Sequence, residues 1–151
     1  MTRHAGYVGG CLCGDVRFEA LGAPRAVFHC HCFSCRRQTG AAVASFAVFA
    51  TLDDGFRWSK TAPASYQSSP GVTRCFCPRC GTPLSYQAKK YPDEIHLNIG
   101  VFDRPGDLVP RAHFHVAEKV SWFETADHFP RHPRGDVLDT PEEEKWGADE
   151  A

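Results

Sequence analysis

Cys30-His31-Cys32-Phe33-Ser34-Cys35-Arg36-Arg37 places three thiols within six consecutive positions. A second pair lies upstream in Gly9-Gly10-Cys11-Leu12-Cys13-Gly14. A third group lies downstream in Arg74-Cys75-Phe76-Cys77-Pro78-Arg79-Cys80-Gly81. These three stretches hold all eight cysteines of the chain. Short loops of the C-x-x-C kind present two sulfurs to one ion, and zinc takes four such ligands in a tetrahedron. In Cys77-Pro78-Arg79-Cys80-Gly81, Pro78 presets a turn dihedral and Gly81 can take a positive φ at the turn exit. Disulfides are the competing reading. Thiols crowded into loops this short make poor structural bridges, and a cytosolic chain keeps them reduced. The clusters are therefore read as metal sites.

Working outward, the chain of 151 residues is long enough for a domain with its own core. We expect a domain over residues 1–135 and an acidic tail over 136–151. Thr140-Pro141-Glu142-Glu143 carries a helix-start pattern that would open a brief terminal helix. Seventeen Lys and Arg face 18 Asp and Glu, with no basic block, so binding to nucleic acid is not expected. The longest largely apolar run, Ala41 to Ala50, is too short to cross a bilayer. The first residues lack a hydrophobic leader. The expectation is a cytoplasmic protein with no membrane association.

Eleven Phe, 13 Gly and 11 Pro, against two Ile and one Met, favour short strands and turns over long helices. An all-β fold of eight to ten short strands is expected. Residues 1–10 read as a flexible lead-in. Alternation marks strands at 15–20, 25–30, 72–77, 84–87, 94–101 and 113–116, with short strands also at 56–58 and 120–123. Ala41–Ala50 reads as a buried strand with Phe46 and Phe49 on opposite faces. Arg36 to Gly40 reads as one helical turn ending at the glycine. His96 is placed on the polar side of its strand. Phe46, Phe49, Phe76, Trp122 and Phe123 are placed in the core, some of them walling a pocket. His113 and His115 share a strand face, as a metal pair or as an acid or base near substrate.

The thiols partition in more than one way. Cys11, Cys13, Cys77 and Cys80 make one closed four-sulfur site. Cys30, Cys32 and Cys35 make a second, which Cys75, His29, His31 or an oxygen ligand could complete. A completed second site is structural. A three-thiolate site suits catalysis, and its negative charge favours holding a soft ligand such as a substrate thiol over making hydroxide. Arg36 and Arg37 follow directly; they could offset that charge and pair with substrate carboxylates.

The three cysteine stretches, followed by His113-Phe114-His115-Val116, Trp122 and Asp127-His128-Phe129-Pro130, resemble the glutathione-dependent formaldehyde-activating enzyme and centromere protein V family. The resemblance covers about residues 7–133. It implies a zinc-stapled fold like the β-tent. It implies a structural zinc on Cys11, Cys13, Cys77 and Cys80. A second zinc, catalytic or labile, would sit on Cys30, Cys32 and Cys35, with glutathione bound nearby. The implied reaction joins glutathione and formaldehyde to give S-hydroxymethylglutathione, a carbon–sulfur lyase reaction in reverse. Cys75 departs from the family's ligand pattern. The alternative is a zinc-stapled binding module without chemistry, both of its sites closed.

Overall fold

The computed structural model describes residues 6–135; the expected terminal helix and acidic tail lie outside the described residues. The chain divides into two compact units, residues 6–26 with 47–109, and residues 27–46 with 110–135. The all-β class holds. Ten strands and one short α-helix make up the regular structure of the described residues, besides three 3₁₀ turns.

The first unit carries two sheets. One has the order β1 (Tyr7–Gly10), β2 (Arg17–Ala20), β5 (Phe56–Trp58), with both pairings antiparallel. The other runs β4 (Ala44–Ala50), β9 (Glu94–Asn98), β8 (Pro83–Ala88), β7 (Val72–Phe76), β6 (Ala64–Ser69). An aromatic core is present, with Phe49 buried as predicted and Phe76 only half-buried. Phe18 stacks on Phe56 and meets Trp58 and Phe102 edge-on, while Phe49 packs on Tyr7 and Phe102. Aromatic rings bury large areas, so few aliphatic residues are needed.

In the second unit the strand order is β10 (His113–Phe114), β3 (Ala26–Cys30), then the start of β4. The β10–β3 pairing is parallel, whereas β1–β2, β2–β5, β6–β7, β7–β8 and β8–β9 pair antiparallel. Phe28 packs on Phe46 and Phe114, and Phe114 stacks on His132. The helix, α1 (Phe33–Thr39), starts at Cys32 and ends at Gly40, whose φ of 70° supplies the left-handed stop expected of it.

Several expectations are corrected. The lead-in contains strand β1. The strand expected over 94–101 stops at Asn98, and Ile99–Val101 forms a 3₁₀ turn closed by the Phe102 N–H to Ile99. No strand forms over 120–123, and Trp122 is 74% exposed instead of lying in the core. His96 is buried, between Tyr86 and Glu94. His113 and His115 do not share a strand face. His115 turns out of the strand with φ 59°, after β10 has ended.

Candidate metal centres and their surroundings

Two tight loops build the first centre, both within the first unit. After β1, Cys11 turns back: its N–H binds the Val16 carbonyl and its carbonyl receives the Gly14 N–H. After β7, Cys77 does the same with Thr82 and Gly81. Gly14 and Gly81 sit at φ 83° and 79°, where a side chain would be strained. The Leu12 N–H donates to the Thr82 hydroxyl at 3.0 Å, tying one loop to the other.

The sulfurs of Cys11, Cys13, Cys77 and Cys80 all lie within 4.8 Å of one another. Cys11 and Cys13 are 3.6 Å apart, Cys13 and Cys77 3.8 Å. A tetrahedron with bonds of about 2.3 Å has edges of about 3.8 Å, so the donor set fits zinc. Backbone N–H groups of Val16, Arg79 and Cys80 point at sulfur, which favours thiolate. The Thr82 hydroxyl and N–H hold the Cys80 thiol down at about 5. Cys13 is pushed up to about 11, against the pull of the Asp15 N–H, by desolvation and the other three sulfurs. Such a split is what crowded negative charge produces, and a central cation relieves it.

The second group lies in the second unit. β3 delivers Cys30, Cys32 caps α1, and Cys35 is in its first turn. The three sulfurs are buried and within 4.8 Å of one another. The Cys35 N–H donates to the Cys32 sulfur at 3.3 Å. Cys30 is raised by its hydrogen bonds to Cys32 and Cys35, and Cys32 is lowered by its bonds to Cys30 and Cys35. This soft, anionic donor set also fits zinc. Among the described residues no further cysteine, histidine or carboxylate joins the three. Cys75 belongs to neither group. It sits in β7 opposite Ser85 of β8, and burial pushes its thiol up.

Arg36 and Arg37 line a hollow of about 390 Å³ with Gly40, Ala41, Ala42 and Val120. The Arg36 Nε donates to the His31 carbonyl at 3.2 Å, and the Arg37 guanidinium lies 4.9 Å over the Phe33 ring.

His31 faces away from the role of metal ligand. Its Nε2 is 3.1 Å from the Nδ1 of His113, and the His113 Nε2 lies 3.1 and 3.2 Å from the two oxygens of Asp127. Burial, followed by the charge of His113, pushes His31 down to about 4. Asp127 is held below the usual carboxylate range by Thr125, then by the Phe129 N–H and His113. His29 binds the Ser45 hydroxyl through Nδ1 at 2.7 Å. The sequence singled out His113 and the Asp127 stretch separately; partners 82 and 14 positions apart leave no local pattern that joins them.

Comparison with known proteins adds the family. No curated protein matches the chain. A crystal structure of a Rhodobacter sphaeroides protein shares the fold, with a TM-score of 0.52 and 22% identity, covering 82% of this chain and 98% of that one. The model of the glutathione-dependent formaldehyde-activating enzyme matches residues 6–118. With three quarters of its length inside that match and both cysteine clusters assembled, the chain belongs to the glutathione-dependent formaldehyde-activating enzyme family.

Proposed function

We propose that the protein is a zinc-dependent carbon–sulfur lyase on a β-tent-like scaffold, acting in the cytoplasm on a glutathione-type thiol and a small carbonyl compound. Cys11, Cys13, Cys77 and Cys80 hold a structural zinc. Cys30, Cys32 and Cys35 hold the second. Zinc there would act as a Lewis acid that keeps an incoming thiol in its nucleophilic, deprotonated form.

The observation that carries this reading is the set of three buried sulfurs without a fourth donor from the described residues. A purely structural site is closed by four protein ligands. In the forward direction the substrate sulfur forms a bond to the carbonyl carbon, and the carbonyl oxygen takes up a proton; the lyase direction reverses both. Arg36 and Arg37 anchor the carboxylates of the thiol at their hollow, since a guanidinium matches a carboxylate fork.

The test is turnover followed by NMR with glutathione and formaldehyde, the uncatalysed reaction subtracted. The expected result is acceleration that Cys32→Ser removes. Equal rates with and without protein, together with two zincs and all thiols protected, would identify a non-catalytic zinc-stapled module.

A further inference from the structure

Arg36 and Arg37 bring positive charge to the hollow of about 390 Å³, and among the described residues neither pairs with a carboxylate. The other lining residues, Gly40, Ala41, Ala42 and Val120, are uncharged. Such a hollow attracts a carboxylate and repels an ammonium group.

A second hollow, of about 290 Å³, is charged differently. Lys119, Glu124 and Arg131 line it, beside Phe123 and Thr125. Lys119 Nζ donates to Glu124 Oε1 at 2.6 Å and Arg131 Nη1 to Asp127 Oδ1 at 3.3 Å, so each cation has a carboxylate. The bond from Lys119 holds the Glu124 carboxyl below the usual carboxylate range, which keeps it ionised at neutral pH. A carboxylate accepts about four hydrogen bonds, and Lys119 supplies one. The Glu124 side chain is 68% exposed, open to a solute.

One loop serves both hollows. Val120 lines the first, and Lys119, Phe123 and Glu124 line the second. Lys119 fastens this loop by donating also to the Val120 and Phe123 carbonyls, each at 3.4 Å. The chain from His31, at the second hollow, to Arg36, at the first, carries Cys32 and Cys35 between them.

We propose that Glu124 receives the α-ammonium group of the glutathione-type thiol. The tripeptide then lies across loop 119–124, its γ-glutamyl end in the second hollow and its glycyl carboxylate at Arg37. This rests on the functional reading above and narrows its arginine contact to the glycyl end. The chemistry of the two ends assigns them. Glutathione carries its thiol on the middle residue, a zwitterionic α-amino acid group at one end and a single carboxylate at the other. The zwitterion needs both signs of charge: Glu124 faces its ammonium, and Lys119 and Arg131 its α-carboxylate. The single carboxylate matches the hollow that holds only cations. Glu124 therefore selects γ-glutamyl thiols over thiols without an α-amino group.

Calorimetry on the zinc-loaded, full-length protein at neutral pH tests this with two ligands, glutathione and glutaryl-cysteinyl-glycine. The second lacks only the ammonium group and keeps both carboxylates. The parent is expected to bind it about three- to fivefold more weakly, the worth of one partly exposed ion pair. Glu124→Gln retains an acceptor for Lys119. It is expected to weaken glutathione by the same factor and to leave the glutaryl compound unchanged, whereas Arg37→Ala weakens both alike. Equal affinity of the parent for the two ligands overturns the inference and leaves the functional reading standing, since the thiol still binds. So does a Glu124→Gln protein that loses affinity for both by one factor. No binding of either ligand to the parent overturns both.

Discussion

The sulfurs of Cys13 and Cys77, 64 positions apart in the chain, lie 3.8 Å from each other. The two thiol loops are already tied by the Leu12–Thr82 bond, and the spacing of their four sulfurs suits one shared metal ion. Cys77 is fully buried and packs with Cys11, Val16 and Leu84. Replacing it with serine is expected to remove one zinc per chain and to lower the melting temperature by about 15 °C or more, given the free energies typical of structural zinc. Metal analysis and circular-dichroism melting measure both. An unchanged melting temperature would mean that the cluster is not a staple.

Cys32→Ser should behave differently. Cys32 caps α1 by accepting the Cys35 N–H, and serine is among the best residues at that position. The helix start survives the change while one of the three clustered sulfurs is lost. The expected outcome is one zinc fewer, turnover abolished, and a melting temperature within about 5 °C of the parent. A large drop in melting temperature would make the second centre structural as well.

Arg36 and Arg37 can be separated by their surroundings. The Arg36 Nε is engaged by the His31 carbonyl, whereas Arg37 is exposed and lies over Phe33. Arg37→Ala is expected to raise KM for the thiol by about tenfold with kcat unchanged, as for loss of one charged hydrogen bond. Arg36→Ala is expected to lower kcat too, because it releases the backbone between Cys30 and Cys32. Identical kinetics for Arg37→Ala and the parent would remove Arg37 from the substrate site.

Much of this was legible because it is local. C-x-C and C-x-x-C spacings, the stop at Gly40 and the alternation of Val72–Phe76 are each written in a handful of neighbouring residues. The partition of eight thiols is not local; spacing left Cys75 open, and only the meeting of the Cys11 and Cys77 loops, with Cys75 opposite Ser85, resolves it. The run of contacts from His31 through His113 to Asp127 was hidden for the same reason. His96 misled the alternation argument because a polar side chain can be buried when Glu94 and Tyr86 lie against it. Strand β1 was hidden by its composition, since Gly9-Gly10 reads as a linker.

Burial of His96 makes the first unit sensitive to acid. Burial lowers its pKa, and the nearby Glu94 only partly restores it. In the unfolded chain the imidazole titrates near 6.5. Above that pH both states are neutral and no dependence arises. Below it the unfolded chain gains a proton that the folded one does not, so stability falls as pH drops from about 6.5, by at most about 1.4 kcal/mol per pH unit. Glu94, whose pKa is lowered by His96 and Arg25 in spite of burial, adds a second loss of stability below about pH 4.3. His96→Gln is expected to flatten the fall between pH 6.5 and 5 and to shrink the lower one, because Arg25 alone then holds the Glu94 pKa down. Denaturant midpoints at each pH measure it, and an unchanged slope would show that His96 is accessible to protons in the folded state.

Gly9 explains why a strand could be written with so little strand-forming sequence. It pairs with Phe18 in the β1–β2 ladder and bridges to Phe102 on its other side. A β-carbon there would meet the Val101 carbonyl within van der Waals contact, the Phe18 ring at 2.6 Å and the Phe102 Cα at 2.8 Å. Two of these three are backbone atoms and cannot swing away. The usual gain from replacing a strand glycine is therefore reversed. Gly9→Ala is expected to destabilise by about 1–3 kcal/mol, the cost of overpacking. Gly100→Ala, where a β-carbon meets nothing within 4 Å, should stay within about 0.5 kcal/mol. Because β1 leads directly into Cys11, displacing it also moves the first thiol loop. Zinc retention under a competing chelator should therefore fall in Gly9→Ala and hold in Gly100→Ala. Equal retention in the two variants would separate the strand from the cysteine cluster that it leads into.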